Sequence, residues 1–497
     1  MKFYITTPIY YVNARPHIGH TYTSVAADVL ARFYRMLDYD VFFLTGTDEH
    51  GQKIATAAEE RNISPQSLVD EMSEVYKKLW EKLEITYDRF IRTTEPKHVE
   101  VVRKIFLKLL ESGNLYKGEY SGYYCIHCES YVIPENETIP LCPDCKRPVK
   151  KFTEPTYFFK LSNYKEKLEK YYSENPDFIK PDFRKNEILN FVKKGLIDLS
   201  VTRKNVKWGI ESPTPEKYSI YVWVDALLNY LSGVGYLYEP ETFEKYWPPD
   251  VQLIGKDIMR FHHIIWPAIL MALNLPLPKT IFAHGWWNIN REKISKSKGN
   301  IVSPEDIIED YGVEPLRFFL MREVPFGLDG EYTEEAFKKR YNSDLVNDLG
   351  NLVNRTLNLV EKRFNSEIPY GSPDEKLMDM LKTAFENYKE KMSKIAFSEA
   401  IEEIWNVLGY LNKFLDEKAP WSIEDDKEAG RVLYNVLEGI RVIALLLSPF
   451  IPTTAKRIWD MLGIGKDPYI EKFSAIEKRL VPGNKIGERV ILFKRRK

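Results

Sequence analysis

The chain has 497 residues, with 71 Lys+Arg against 72 Asp+Glu and a formal net charge of −1. This length exceeds one compact core and predicts about three domains, and the charge balance excludes binding of nucleic acid by bulk charge, so any basic surface must be local. Hydrophobic content of 44% and aromatic content of 13% can fill such cores. No apolar run reaches membrane-spanning length, the longest being Val442 to Leu447. The N-terminus lacks a signal-peptide pattern. The expected protein is cytoplasmic with no membrane partner. Glutamine occurs only at Gln52, Gln66 and Gln252 beside abundant Lys and Glu, a composition that leans towards a thermophile.

Phe3 to Thr7 reads as a short buried strand, and Tyr22, Val25, Ala26, Val29, Leu30, Phe33 and Leu37 recur at helical spacing. Between them lies a loop, Pro8 to His20, at the strand-to-helix position where open α/β sheets bind ligands. Helix N-terminal amides and the helix dipole favour a phosphate there. His17 and His20 can both donate to phosphate oxygens, and Gly19 leaves room for a planar ring against the backbone. Taken alone, the two histidines also read as simple helix caps.

Val41 to Thr45 is a second predicted strand, running into Gly46-Thr47-Asp48-Glu49-His50-Gly51. A helix opens at Ser64-Pro65. Arg89 to Thr93 follows as a strand and Glu95 to Glu111 as an amphipathic helix stopped by Gly113. This β-α-β-α alternation predicts a parallel sheet with right-handed crossovers. The pattern breaks near Leu115 and an insertion is expected over 116–215. Tyr221 to Asp225 and Val251 to Gly255 then resume the sheet, Ile258 to Leu273 is a helix, and Ile281 to His284 is the last core strand. From about Ser343 the pattern is helical: Leu345 to Phe364, Glu375 to Met392, Phe397 to Leu415, Glu428 to Leu447 and Thr453 to Met461. Short connections between them indicate a bundle. The expected fold is α/β, a Rossmann-like parallel-sheet catalytic domain (1–115 and 216–285) carrying a zinc-bearing insertion (116–215). A linking segment (286–342) and an all-α bundle with a tail (343–497) complete it.

All four cysteines fall in one cluster, Cys125-Ile-His-Cys128 and Cys142-Pro-Asp-Cys145. Two C-x-x-C pairs across a short loop can place four thiolates tetrahedrally around one structural zinc. His127 is an alternative ligand. A disulfide does not suit a cytosolic chain. Four protein ligands leave no open position, and the metal would hold together an insertion too small for a core of its own.

Downstream stands Lys293-Ile294-Ser295-Lys296-Ser297. Together with His17-Ile18-Gly19-His20 it resembles the paired signatures of class I aminoacyl-tRNA synthetases, with Ile294 where the family has Met. The insertion is too short for the editing domain of the leucine, isoleucine and valine enzymes. The chain resembles the methionyl-tRNA synthetase family over nearly its whole length. Further motifs carry that match: Pro8 to Asn13, Gly46 to Gly51, the doubled C-x-x-C, Tyr221 to Ala226, and Phe261-His262-x-x-x-Trp266-Pro267.

The resemblance implies an ATP-dependent, AMP-forming methionine–tRNA ligase, with methionine, ATP and Mg²⁺ at the active site and initiator and elongator tRNA-Met as partners. It implies catalytic His17, His20, Lys293 and Lys296, and an ATP site that adds Gly19, Ser295 and Ser297. It also implies a methionine pocket of Ile9, Tyr11, Trp223, Ala226, Leu227, Tyr230, Ile258, His262 and Trp266, whose aromatic faces suit a polarizable thioether. Leu227 stands where some members have Pro. Asp48 is the expected partner of the substrate ammonium, against a plain helix N-cap. Asn347, Asn351, Arg355 and Trp421 match the family's anticodon site, two amides and a guanidinium for base edges and phosphate and an indole for stacking. Other readings are a synthetase for another apolar amino acid and a non-catalytic tRNA-binding relative. Because the chain stops after the bundle, a monomer or a partnership with a separate tRNA-binding subunit is expected.

Overall fold

The computed structural model describes residues 1–126, 129–132, 141–142, 146–289, 292–293 and 302–496. Its strands begin with β1 (Lys2–Thr6), β2 (Tyr10–Tyr11), β3 (Asp40–Asp48) and β4 (Arg89–Arg92). Helices α1 (Ile18–Met36), α2 (Gln52–Glu60), α3 (Pro65–Lys82) and α4 (Pro96–Glu111) alternate with them. Then come β5 (Leu115–Cys125), β6 (Ser130–Val132), β7 (Lys150–Phe159), β8 (Ile179–Lys180) and β9 (Leu199–Ser200). Next are β10 (Thr202–Arg203), β11 (Ser219–Ile220), β12 (Val251–Gly255) and β13 (Thr280–His284).

Seven strands form one sheet in the order β2-β3-β1-β12-β13-β8, with β4 also paired to β3. Every pairing in it is parallel. The pleat sends alternate side chains to opposite faces. Phe3, Ile5, Phe43, Leu253 and Phe282 pack on one face with α1 and the C-terminal helices. Tyr4, Leu44, Ile254, Ile281 and Ala283 pack on the other, with α4 and the residues around Tyr230. Burial on both faces is why these strands read as continuous apolar runs.

Between β4 and β12 the antiparallel set β6-β5-β7-β9 forms a separate sheet. The long β5–β7 ladder runs from Leu115 opposite Phe159 to Tyr124 opposite Lys150. The same stretch lends β8 to the edge of the parallel sheet, where Ile179 pairs with Ile281.

One expected strand is a helix. Val222–Leu227 is helical, with Tyr221 as an extended N-cap whose carbonyl accepts from Val224 and Asp225. The run of β-branched and aromatic residues mimics a buried strand. These residues are apolar because the short helix is wedged into the core, with Tyr221, Val224 and Leu227 buried. Ile258 to Leu273 is likewise not one regular helix. It comprises a 3-10 turn (Lys256–Ile258), a π-helical turn (Phe261–Ile265) and an α-helix (Trp266–Ala272).

The C-terminal region contains helices Asn351–Arg363, Glu375–Ser393, Phe397–Lys418, Asp426–Leu447 and Pro452–Met461. The first is preceded by a π-helical stretch, Tyr341–Gly350. A buried polar joint fixes this region to the sheet. Arg317 is fully buried and donates to Asp28 of α1 at 2.6 Å, to Leu83 O at 3.0 Å, and to Pro449 O and Phe450 O at 3.1 and 2.9 Å. Asp28 also accepts from Arg32 at 2.8 Å and from the Thr86 backbone at 2.7 Å. Burial favours the neutral acid, yet the two guanidiniums hold Asp28 down at about 2. Beside the joint, the Glu314 carboxylate accepts from the backbone of Thr453 and Thr454 and caps the helix that follows.

Candidate active site at the carboxyl ends of the sheet

The loop after β1 ends in a reciprocal cap. His17 Nδ1 accepts from the Gly19 amide at 3.0 Å, and His20 Nδ1 accepts from the His17 amide at 3.1 Å. The two rings lie 3.9 Å apart, tilted by 33°. With each Nδ1 used as an acceptor, a neutral ring carries its proton on Nε2. The pair is therefore arranged as two ring donors at a helix N-terminus, and capping and phosphate binding are compatible roles. A Cβ at Gly19 would lie 2.9 Å from His17 Cε1, so glycine here makes space for the imidazole itself. One turn on, Thr23 donates to His284 Nε2 at 2.6 Å, tying α1 to the end of β13.

Asp48 ends β3 beside Tyr11, its register partner on β2. It is buried, and its Oδ1 has no hydrogen-bond partner among the described residues. Burial pushes its carboxyl well above the usual range, and the charges of Asp225 and Glu129 push the same way. The N-cap of α2 is Gly51, and no side chain caps that helix from the N-cap position. Asp48 thus stands as a buried acid short of a counter-charge.

Behind it lies a network that sequence reasoning missed. His50 Nδ1 donates to Asp225 Oδ2 at 2.7 Å, and His98 Nε2 donates to Asp225 Oδ1 at 2.6 Å. Ser232 in turn lies 2.7 Å from His98 Nδ1. Burial favours the neutral acid, but the two imidazoles hold Asp225 down at about 2. His50 and Asp225 both lie inside motifs already quoted. What hid them is that their partner, His98, sits on α4 with no local signal.

The expected amino-acid pocket residues come together from separate elements. Tyr230 and Trp266 are buried with ring centroids 5.6 Å apart. His262 donates from Nδ1 to Ile258 O at 3.1 Å, so its Nε2 accepts from Tyr230 Oη at 2.8 Å. Burial pushes His262 down to about 3, so it is neutral at ordinary pH. Trp266 Nε1 donates to Gln252 at 3.1 Å. Trp223 stacks on Phe261 at 3.7 Å. Leu227 belongs to the same core cluster, against which Ile9, Tyr11, Trp223 and Ile258 are partly buried, and Ala226 is buried on the same helix as Leu227.

Lys293 lies in a short strand, Glu292–Lys293, described by its backbone alone, and Ile294, Ser295, Lys296 and Ser297 lie outside the described residues. Cys125 and Cys142 are buried in one small cluster with Val132 and Val149. Cys128 and Cys145 lie outside the described residues. Among the described residues, no group of three or more His, Cys, Asp or Glu gathers to hold a metal.

On the bundle, Asn347 and Asn351 are exposed, the first in the π-helical stretch and the second opening the α-helix. Arg355 donates to Asp416 at 2.6 Å and lies 5.6 Å from the centroid of the Trp421 ring. Trp421 is 50% exposed, after Ala419 ends its helix in a left-handed conformation (φ 41). Arg363 donates to the carbonyls of Pro420 and Glu424, fixing that turn. No helix is long and apolar enough to cross a membrane among the described residues.

Comparison with known proteins bears on this geometry. The family model described as tRNA synthetases class I (M) matches residues 3–154 and 146–357, and that of the anticodon binding domain of methionyl tRNA ligase matches 366–496. A methionine–tRNA ligase of Caldanaerobacter subterraneus subsp. tengcongensis is 52% identical over 94% of this chain and 74% of its own length. That of Thermotoga maritima is 45% identical over 100% of this chain and 80% of its own. The solved Mycobacterium tuberculosis methionyl-tRNA synthetase in complex with methionyl-adenylate superposes with a TM-score of 0.96 at 41% identity, covering 100% of both chains.

Proposed function

The chain belongs to the methionyl-tRNA synthetase family of class I aminoacyl-tRNA synthetases, and on that premise we propose how its own residues divide the work. The enzyme is a methionine–tRNA ligase. It activates methionine with ATP to methionyl-adenylate and pyrophosphate, then transfers methionine to the 3′-terminal adenosine of tRNA-Met. Mg²⁺ accompanies ATP in this reaction and neutralises phosphate charge when bound.

No protein nucleophile is required. The methionine carboxylate attacks the α-phosphate in line, and position and charge do the rest. Asp48 takes the substrate ammonium, which supplies the counter-charge to an Oδ1 that has no hydrogen-bond partner among the described residues. That atom is the observation that carries the reading: a buried acid with an oxygen that no described residue engages suits a small cation that arrives with the substrate. Tyr230, His262 and Trp266, with Ile9, Tyr11, Trp223, Ala226, Leu227 and Ile258, take the side chain. The neutral His262, fixed by Ile258 O, presents an uncharged wall to the thioether.

His17 and His20 donate from Nε2 to the phosphates beside Gly19. Lys293 and Lys296, with Ser295 and Ser297, neutralise the transferring phosphate and its leaving group. Asn347, Asn351, Arg355 and Trp421 read the anticodon. Segments 1–115 and 216–285 form the catalytic domain, 116–215 the insertion, 286–342 the link and 343–497 the bundle and tail. The protein acts in the cytoplasm.

Cys125, Cys128, Cys142 and Cys145 hold one zinc, and the burial of Cys125 beside Cys142 fits that donor set. These cysteines would hold the metal, and it would supply the insertion with a cross-link in place of a larger core. Metal analysis of protein purified without chelators should find one zinc per chain, and Cys142→Ala should release it. Zinc-free protein would remove this part of the reading. The activity itself is tested by ATP–pyrophosphate exchange, which should depend on methionine and not respond to leucine or valine.

A further inference from the structure

Glu129 follows Cys128 directly in the chain and is 5% exposed. Its backbone takes φ 48, a left-handed conformation that is costly for a non-glycine residue. A side chain held against that cost has contacts that over-determine it. Tyr11 Oη donates to Glu129 Oε2 at 3.1 Å, and the Lys53 amide, in the first turn of α2, donates to Oε1 at 3.1 Å. Tyr221 Oη donates to the Glu129 carbonyl at 2.6 Å. Three segments therefore meet on one residue. The first carries Ile9 and Tyr11, the second leads from Asp48 into α2, and the third begins the helix carrying Trp223, Ala226 and Leu227.

Gly51 permits this approach. It takes φ 109, and a Cβ there would fall 2.5 Å from Tyr11 Oη and 2.7 Å from Glu129 Oε2.

We infer that Glu129 is a positioning residue for amino-acid recognition, through which the cysteine-bearing insertion sets the shape of the methionine pocket. The inference rests on the pocket reading given above. Among the described residues, both carboxylate oxygens and the carbonyl of Glu129 accept hydrogen bonds from the three segments that supply the pocket walls, a reach beyond the insertion that holding the insertion alone does not require. An aliphatic side chain there would free the Tyr11 hydroxyl and uncap α2, and the walls would shift relative to one another. Its hydrogen bonds among the described residues reach Tyr11, Lys53 and Tyr221, none of them assigned to ATP above, so the effect should fall on methionine.

The experiment compares wild type, Glu129→Ala, Glu129→Gln and Asp48→Ala in methionine-dependent ATP–pyrophosphate exchange. Methionine affinity is also read without ATP by intrinsic tryptophan fluorescence, and zinc is measured on each protein. Glu129→Ala should raise the methionine KM and Kd about tenfold or more, leave the ATP KM within about twofold, and keep its zinc. Glu129→Gln retains one acceptor and should recover part of the loss. Should Glu129→Ala lose zinc or melt early, Glu129→Gln decides: a raised methionine KM with zinc retained supports the inference, and an unchanged one overturns it. A methionine KM within about twofold of wild type in Glu129→Ala, beside a large rise in Asp48→Ala, overturns the inference and leaves the pocket standing. No rise in either variant overturns the pocket reading itself.

Discussion

In the proposed methionine pocket at the end of the sheet, Tyr230, His262 and Trp266 are buried and their polar atoms are already engaged, Tyr230 with His262 and Trp266 with Gln252. On the bundle, Asn347 and Asn351 face solvent and Trp421 keeps half its surface exposed. A small substrate offers few contacts, so its site must be formed before it arrives, with little left to order on binding. A tRNA offers many, and can supply the energy that orders an exposed amide or lifts Arg355 from Asp416. The difference teaches where damage should appear. Pocket changes should alter methionine recognition, while bundle changes should leave activation untouched.

The largest expected effect separates both regions from the chemical step. Lys296→Ala should slow exchange by on the order of 10²–10³, the worth of one charge-stabilising contact at about 3–4 kcal/mol. Methionine binding should stay nearly normal, and an unchanged rate at saturating substrates would remove the lysine loop from the mechanism. Next comes Asp48→Ala. Losing one partner of a buried charge pair costs about 2–5 kcal/mol, so the methionine KM should rise on the order of 10²-fold. A normal KM would break the comparison, because the pocket would then not be preformed around the ammonium.

Trp421→Ala should weaken tRNA charging about tenfold, from the loss of one stacked base at about 1–3 kcal/mol. Exchange without tRNA should remain near wild type. Charging equal to wild type at subsaturating tRNA would mean that the bundle reads the anticodon by other residues.

The smallest effect on methionine recognition is that of pH. Burial holds His262 at about 3 against an ordinary value of 6.5, and His263 at about 4. Between those values the unfolded chain binds protons that the folded chain refuses, so stability is full above pH 6.5 and falls as pH drops towards about 3. Thermal melts should show that decline, shallower in His262→Gln, while the methionine KM stays flat from about pH 6 to 8. A KM that moves through that interval in wild type but not in His262→Gln would show that His262 titrates in the pocket.

Much of the frame was legible because its causes are local. Strands buried on both faces leave apolar runs, and amphipathic helices leave a 3.6-residue period, so β1, α1, β3 and the bundle helices could be read directly. Ser64 accepting from Ser67 with Pro65 behind it is a start signal that needs no neighbours. The helix at Val222–Leu227 was misread because burial on all sides erases periodicity, leaving only the β-rich composition. The candidate site was legible where one segment carries it, as at His17 to His20. It was not legible at Glu129, whose partners lie at Tyr11, Lys53 and Tyr221. Nor does any local pattern announce that His98 will meet Asp225. Such contacts are set by tertiary packing, and a linear reading has no term for them.

Arg317 carries one more consequence. It joins the helix that presents His17 and His20 to the turn at Pro449 and Phe450, and the apolar cluster around it runs without a break from Phe3 to Ile486. Opening that joint would leave the buried Arg317 guanidinium short of partners in an apolar setting, at several kcal/mol. The two ends of the molecule therefore share one cooperative unfolding unit on this face of the sheet. An enzyme that must read one end of a tRNA and react at the other has, in that unit, a span set by folding itself, so heat should remove both capacities at a single temperature.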